Sequence, residues 1–418
     1  MSSMDFENRK AMIEPNDALD IILASAHRLA PVTVELAKID GYVLAEDIVA
    51  GHDVPPFDNS AMDGYAVLTA DITGAGEANP VTLKLIEEQP AGKATDMKVI
   101  PGTAIKIMTG APIPAGADVV VPIEKTSLSG GRVDILVALP LRNNVRSAGE
   151  DMPKGSVAVT AGTTVTPVII GLLASLGYAT ARVRPKPKTA VIGTGNELIP
   201  VEEPLTPGKI RDSNSYTLTA QARACGADVT RLGVAGDTKE DVARLVGLAL
   251  DSADVVVTSG GVSVGDYDFV KDVLAEMGAE LQFWGVKQKP GKPLAFWVLG
   301  EKLVFGLPGN PVASVLCFEE YVRPALLKMM GRGHLLRPVI TAELTHDFKK
   351  KPGRQHFVGV RVTATDRHYQ ATVNGRQGSG ILKSLDGADG IAVIPKDVIE
   401  MKVGERVEVQ MIGLPEDH

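Results

Sequence analysis

The stretch that most constrains the fold is Asp254-Val-Val-Val-Thr-Ser-Gly-Gly-Val-Ser-Val-Gly-Asp-Tyr-Asp-Phe269. Its short run of valines, apolar on both faces, predicts a strand buried in a parallel sheet. Ser259, Gly260, Gly261, Ser263 and Gly265 follow within seven residues. Glycines there let backbone N–H groups come close to a ligand. Asp266 is placed to cap a helix running to Met277. A strand, a glycine–serine loop and a helix N-terminus together predict an anion cradle. Asp266 and Asp268 put carboxylates beside it, where Mg²⁺ commonly sits. A lone Ser-Gly-Gly would be an ordinary strand–turn–helix connection. Further glycine and proline loops downstream favour a ligand.

The same unit repeats around this stretch. Thr189–Ile192, Asp228–Val234 and Val255–Val257 read as strands. Ser213–Cys225, Thr238–Asp251 and Asp266–Met277 read as helices. Asp212 or Ser213 caps the first helix, and Thr238-x-x-Asp241 gives the second a capping-box start. Strand and helix in alternation predict a parallel sheet with helices on both faces. Ligands in such folds bind beyond the carboxyl ends of the strands. Four loops fall there: Gly193-Thr-Gly-Asn-Glu197, Ser259–Gly265, Lys289-Pro-Gly-Lys292 and Leu307-Pro-Gly-Asn-Pro311. Pro311, with Asn310 as cap, opens a long helix ending near Met330.

Elsewhere the texture differs. Residues 14–30 carry apolar side chains at helical spacing, with Asn16 as cap and Pro31 as stop. Val81–Ile86, Thr103–Met108, Ala117–Ile123 and Arg132–Val137 are short β-rich runs between turns. Thr166–Gly177 reads as a buried helix, and residues after Leu336 turn β-rich again. The expected fold is therefore multidomain α/β plus β. A discontinuous N-terminal linker domain (1–50 and 146–187) carries an inserted β-rich domain (51–145). A central α/β domain with a mostly parallel sheet (188–331) and a C-terminal β domain (332–418) follow.

Composition excludes several classes. A net charge of -8 and 4% aromatic content argue against nucleic acid as a partner. Cys225 and Cys317 sit in apolar helical contexts, without Cys-x-x-Cys or His-Glu-x-x-His, so packed thiols in a reducing compartment are expected rather than zinc ligands. The N-terminus is too polar for a signal peptide, and the longest apolar run, Val168–Leu176, is too short for a bilayer. A cytoplasmic protein without a membrane partner is the expectation.

Two common motifs fail residue by residue. Gly193-Thr-Gly-Asn-Glu-Leu198 has Leu198 where a dinucleotide fingerprint has its third glycine. Lys287-Gln-Lys-Pro-Gly-Lys292 is followed by Pro293, where a phosphate-binding P-loop needs Ser or Thr. What remains is mixed charge. Lys287, Lys289 and Lys292 suit a phosphate or a tetrahedral metal oxyanion. Glu197, Asp237, Asp266 and Asp268 suit Mg²⁺ bridging phosphates. Asp58, Asn59, Ser60 and Asp63 crowd one loop, either as turn formers or as ligands to a metal or polar group. Arg146, Glu150 and Asp151 suggest a solvated ion pair.

Several of these segments resemble the molybdopterin molybdenumtransferases, the MoeA family that includes the gephyrin E domain. They are Pro56-Phe-Asp-Asn-Ser-Ala-Met-Asp-Gly-Tyr65, Met108-Thr-Gly-Ala-Pro112, Gly149-Glu-Asp151, Thr194-Gly-Asn-Glu-Leu198, Ser259–Gly265, Lys289-Pro-Gly-Lys-Pro293 and Gly306-Leu-Pro-Gly-Asn-Pro311. The likeness runs over nearly the whole chain in order. It implies insertion of molybdenum from molybdate into adenylylated molybdopterin, giving molybdenum cofactor and AMP with Mg²⁺ or another divalent cation. It also implies a homodimer, with the N-terminal domain serving dimerisation, and an upstream adenylylating enzyme as a further partner. Residue by residue, it implies that Glu197, Asp237 and Asp268 hold the metal, with Asp58 and Asp151 as further catalytic acids. Lys289, Lys292, Arg354 and Ser379 would contact molybdate, and Pro308 and Pro311 shape their loop. Thr109 and the Ser259-Gly260-Gly261 and Ser263 cradle would bind the rest of the substrate. One departure stands out. Many relatives carry Arg two residues beyond the aromatic of Gly-Arg-x-x-Phe, where this chain has Gly359. The alternatives are an adenylyltransferase-like or nucleotide-processing enzyme sharing only the α/β domain, and a non-enzymatic scaffold. The Asp58 loop and the terminal β domain argue against the first. The full set of site carboxylates argues against the second.

Overall fold

Six strands build the sheet that carries the glycine loops: β1 (Lys188–Thr194), β2 (Asp228–Ala235), β3 (Val255–Ser259), β4 (Glu280–Trp284), β5 (Ala295–Leu299) and β6 (Lys302–Leu307). The computed structural model describes residues 12–262, 269–366 and 368–413. The strand order is β2-β1-β3-β6-β5-β4. The first four run parallel, and β5 and β4 are antiparallel additions at one edge. β3 lies in the middle because Val255, Val256 and Val257 are each fully buried. Val255 and Val257 point into one core and Val256 into the other. Burying each such side chain contributes about 1.5–3 kcal/mol.

Helices cover both faces. α1 (Asn214–Ala224) shares the first core with the N-terminal helix Pro15–Ser25 and the helical run from Pro311 to Met329. α2 (Lys239–Ser252) and α3 (Phe269–Glu276) close the second. The Thr238 hydroxyl accepts from the Asp241 N–H at 3.2 Å, as the capping pattern predicts.

Three helices differ from expectation. The N-terminal one stops at Ser25 rather than near residue 30, and Glu14, not Asn16, stands at its cap position. Pro15 sets the start through its fixed φ. Beyond Ser25 a tertiary bond takes over, as the Leu29 N–H donates to Met329 O at 2.9 Å. The long helix after Pro311 is interrupted by a π turn over Phe318–Val322. Pro324 lacks an N–H for a normal helical bond there, and the wider register accommodates it. Asn310 stands at its cap position without a side-chain bond. The segment expected to be a buried helix, Pro167–Ser175, buries only Leu173; Val168 is 81% exposed.

The chain divides into two compact units. One comprises Met1–Ala45, Gly162–Thr166 and Ala181–His418, the other Glu46–Ala161 and Pro167–Thr180. The first unit contains the α/β sheet and a closed β ring. The ring runs Gln355–Ala364, Tyr369–Val373, Val339–Leu344, Arg406–Met411 and Gly390–Ile394, then returns to Gln355–Ala364. Gln288–Lys289 adds to it in parallel, setting Lys289 beside His356. The second unit holds a six-stranded sheet that includes Gly64–Val67, Gly76–Gln89 and Thr103–Ile107. Among the described residues no helix is long and apolar enough to cross a membrane.

Candidate active site

The ends of β1, β3 and β6 are locked together. The Thr194 hydroxyl donates to Ser259 O at 3.3 Å, and the Gly260 N–H donates to Leu307 O at 3.0 Å. Gly260 has φ +90°, and a Cβ there would stand 2.8 Å from Thr194 O. Only glycine suits that conformation and approach. With its N–H engaged by Leu307, Gly260 is not a free donor, contrary to the cradle expected from sequence. Gly261 has φ +68°, and its N–H has no backbone partner among the described residues. Ser263, Asp266 and Asp268 lie outside the described residues.

Asn214 was not foreseen as part of the site. From the first residue of α1, its Nδ2 donates to Ser259 Oγ and to Gly309 O, each at 2.8 Å. It thereby joins the β3 loop to the β6 loop. The available signal was a polar side chain opening a helix at the carboxyl edge of a parallel sheet. Asp212, rather than Ser213, caps α1: it is 3% exposed and accepts from the Ser215 N–H at 3.0 Å. Pro308 is buried, and Pro311 is the first residue of the helix after the β6 loop.

Two of the expected metal-binding carboxylates sit on neighbouring loops. Asn196 donates its N–H to Asp237 Oδ2 at 3.0 Å, and the Asp237 N–H donates to Asn196 Oδ1 at 3.1 Å. This exchange ties the β1 and β2 loops. The Glu197 carboxylate folds over Gly195, where a Cβ would stand 2.3 Å from Glu197 Oε2. Glu197 and Asp237 are hard oxygen donors, the chemistry a divalent cation such as Mg²⁺ prefers. Among the described residues no group of three metal-ligating side chains closes; the expected third carboxylate is Asp268. A cleft of about 560 Å³ lined by Gly195, Asn196, Asp212 and Tyr216 opens beside these loops.

Beyond the β6 loop lies a cationic cavity of about 170 Å³, lined by Lys289, Lys349, Lys350, His356, Gln377 and Ser379 among others, with no carboxylate in its wall. Ser379 is fixed there by the Val312 N–H, which donates to Ser379 O at 3.0 Å. The cavity is thus one loop, Leu307 to Val312, from the glycine-rich end of β3. Burial, then Lys350, Lys289 and Arg354, push His356 down to about 4. Lys350 is 8% exposed, and its ammonium donates to Arg354 O and Lys396 O at 3.0 and 3.1 Å. Burial holds it below the usual lysine range.

The structure therefore brings Lys289 and Ser379 to one cavity. Lys292 is exposed on the adjoining loop, and neither it nor Arg354 lines the wall. Lys287 leaves the expected lysine trio, because its ammonium pairs with Glu14 at 3.0 Å.

Asp58, Thr109 and Asp151 belong to the second unit. Asp58 pairs with Arg142 at 2.8 Å and accepts from the Ala148 N–H at 2.8 Å. Those bonds, the guanidinium first, hold its carboxyl below the ordinary value. Thr109 donates its N–H and hydroxyl to Asp63, both at 2.7 Å. Asp63 is held low by them, the backbone bond first. Asp151 is exposed, and its N–H donates to Val54 O at 3.0 Å.

Three family models match the chain: MoeA N-terminal region (domain I and II) over residues 13–177, a probable molybdopterin binding domain over 190–328, and MoeA C-terminal region (domain IV) over 341–412. Molybdopterin molybdenumtransferase 2 of Mycobacterium tuberculosis is 39% identical over 389 residues, covering 91% of this chain and 94% of the relative. Molybdopterin molybdenumtransferase of Bacillus subtilis is 38% identical over 373 residues, covering 88% and 87%. The solved molybdopterin biosynthesis moeA protein of Pyrococcus horikoshii OT3 superposes with a TM-score of 0.78 at 33% identity, over 96% of this chain and 100% of that one.

Proposed function

This chain belongs to the MoeA family of molybdopterin molybdenumtransferases, and from that premise we propose that it inserts molybdenum from molybdate into adenylylated molybdopterin, releasing AMP. The observation that carries this is the adjacency of two kinds of site. The Leu307–Val312 segment joins a glycine-lined strand end to a cationic cavity without carboxylates. A tetrahedral dianion fits the charge and size of the cavity, with Lys289 and Ser379 as its first contacts. Lys292 and Arg354 add positive potential from outside the wall. The Gly261 N–H and the Asn214-anchored Ser259 loop orient the phosphate-bearing substrate at the strand end.

Glu197 and Asp237, with Asp268 as the expected third acid, would hold a divalent cation; when bound it would neutralise the phosphoanhydride oxygens. The side chains do the positioning. Asn196 keeps the two carboxylate loops in register, and the lysines keep molybdate close to the reacting end of the pterin. The exposed apolar helix Pro167–Ser175 supports a homodimer, since a second copy would remove that surface from water.

The test is AMP release from adenylylated molybdopterin with molybdate titrated in. Molybdate-dependent release is expected, with Lys289→Ala raising the molybdate concentration required. Release that ignores molybdate, or no release with metal and both substrates present, refutes the assignment.

A further inference from the structure

The oxyanion cavity contains a group that neither its charge nor the family resemblance requires. His356 is 7% exposed and lines the cavity. Its ring meets Phe348 edge-on, with centroids 6.5 Å apart at 83°. Its nitrogens have no hydrogen-bond partner among the described residues, and they are not sealed orphan atoms of the core. Buried polar groups normally find a partner. A buried imidazole in the wall of a cavity of about 170 Å³, without a hydrogen-bond partner among the described residues, is therefore arranged for something that enters it.

Lys350, Lys289 and Arg354 set the potential at the ring. Lys289 is its partner across the parallel pairing. Lys349 and Lys350 come from the strand Phe348–Lys349 and the residue after it, and Arg354 from the approach to its own strand. On the other side it pairs with the uncharged Ile394. Gln377 and Ser379 are neutral; two carboxylates act on this group of cations, Asp397 on Lys350 and Glu400, which pairs with Lys349 at 3.1 Å. An imidazole among cations stays neutral and can donate through one nitrogen. An entering dianion reverses the local potential and favours the imidazolium, which donates through both.

We propose that His356 contacts the bound oxyanion directly and takes up one proton from solvent as a tetrahedral dianion enters the cavity. This rests on the molybdate assignment above. By linkage, binding strengthens as pH falls, and the bound complex carries more protons than its separated parts.

The test is calorimetric titration of the full-length protein with molybdate, and separately with sulfate. Titrations run from about pH 8 to about pH 6, in buffers of different ionisation heat. Wild type should gain about ten- to a hundredfold in affinity over that range, with net proton uptake. His356→Gln keeps a donor but cannot titrate. It should bind with a flat profile and without the uptake, at an unchanged unfolding midpoint; His356→Asn serves if Gln perturbs the fold. A variant with the wild-type slope and uptake overturns the role of His356 while leaving the cavity intact. Wild type that binds oxyanion without proton uptake overturns it too. Wild type that binds neither anion overturns the cavity assignment itself.

Discussion

Gly260→Ala measures how tightly the ends of β1 and β3 approach. Gly260 has φ +90°, and an added methyl would stand 2.7 Å from Thr194 Oγ1 and 2.8 Å from Thr194 O. Two costs are involved. Holding a residue with a Cβ in left-handed backbone costs about 1–2 kcal/mol. Overlap with a fixed carbonyl forces a backbone shift worth about 1–3 kcal/mol more. Gly278 separates the two, since it has φ +83° with nothing within 4 Å of its Cβ position. Gly278→Ala therefore carries the first cost alone, and should lower stability by about 1–2 kcal/mol. Gly260→Ala should lower it by about 2–5 kcal/mol. The assay is urea unfolding, with midpoints compared at a shared m-value, alongside molybdate-dependent AMP release. Gly260→Ala should also lose turnover, because the shift moves Ser259 away from Asn214, the side chain that links it to Gly309; Gly278→Ala should keep it. Equal destabilisation by the two substitutions, with full activity in Gly260→Ala, would refute the close-approach argument.

Two further substitutions probe charge. Burial pushes the Glu320 carboxyl up to about 7, against the opposing Gln410 amide, and its Oε1 is buried without a partner. The native state then holds more protons than the unfolded one between about pH 4.5 and about pH 7, so stability falls as pH rises through that window. Glu320→Gln should gain about 1–3 kcal/mol above about pH 7 and nothing near pH 4 in thermal or urea unfolding; a variant less stable at high pH contradicts this. Asp58 is held low by Arg142, so its contribution is present above the ordinary carboxylate pKa and is lost as pH falls through the depressed one. Because the Asp58–Arg142 pair is solvent-exposed, Asp58→Asn should cost no more than about 1 kcal/mol in neutral urea unfolding. Its AMP release should nevertheless fall; unchanged turnover would make the pair structural only.

The sheet was legible because its signal is local. Three valines in a row, a Ser-Gly-Gly and a following amphipathic helix specify β3 and its loop without any distant partner. The caps Asp212 and Thr238 were legible for the same reason. Helix ends set by tertiary contacts were not. Leu29 fits helical spacing, but its N–H goes to Met329 O. Lys287 looks like an anion ligand beside Lys289, but its ammonium pairs with Glu14, 273 residues away in sequence. Asn214 and His356 become visible as site residues once the loops and strands that face them are in place. Their partners Gly309 and Lys289 are separated from them by long stretches of chain.

Gly359 shows how the fold limits the source of the cavity's charge. The family resemblance leads to an expected arginine at this position, but here a Cβ would stand 2.8 Å from Leu385 Cδ2 and 3.0 Å from Ser384 O. The helical turn Leu382–Leu385 lies close against the strand, so a side chain there would have to push aside Leu385 and crowd Ser384 O. The positive potential enters from elsewhere: Lys350 and Lys289 supply it from the cavity wall, while Lys349 is paired with Glu400 at 3.1 Å. Burying Lys350 carries a desolvation cost, which its bonds to Arg354 O and Lys396 O offset. That arrangement puts its charge close enough to keep His356 neutral until an anion arrives. An arginine would have been a fixed cation at all pH values; lysines around a histidine give a cavity whose charge responds to its contents.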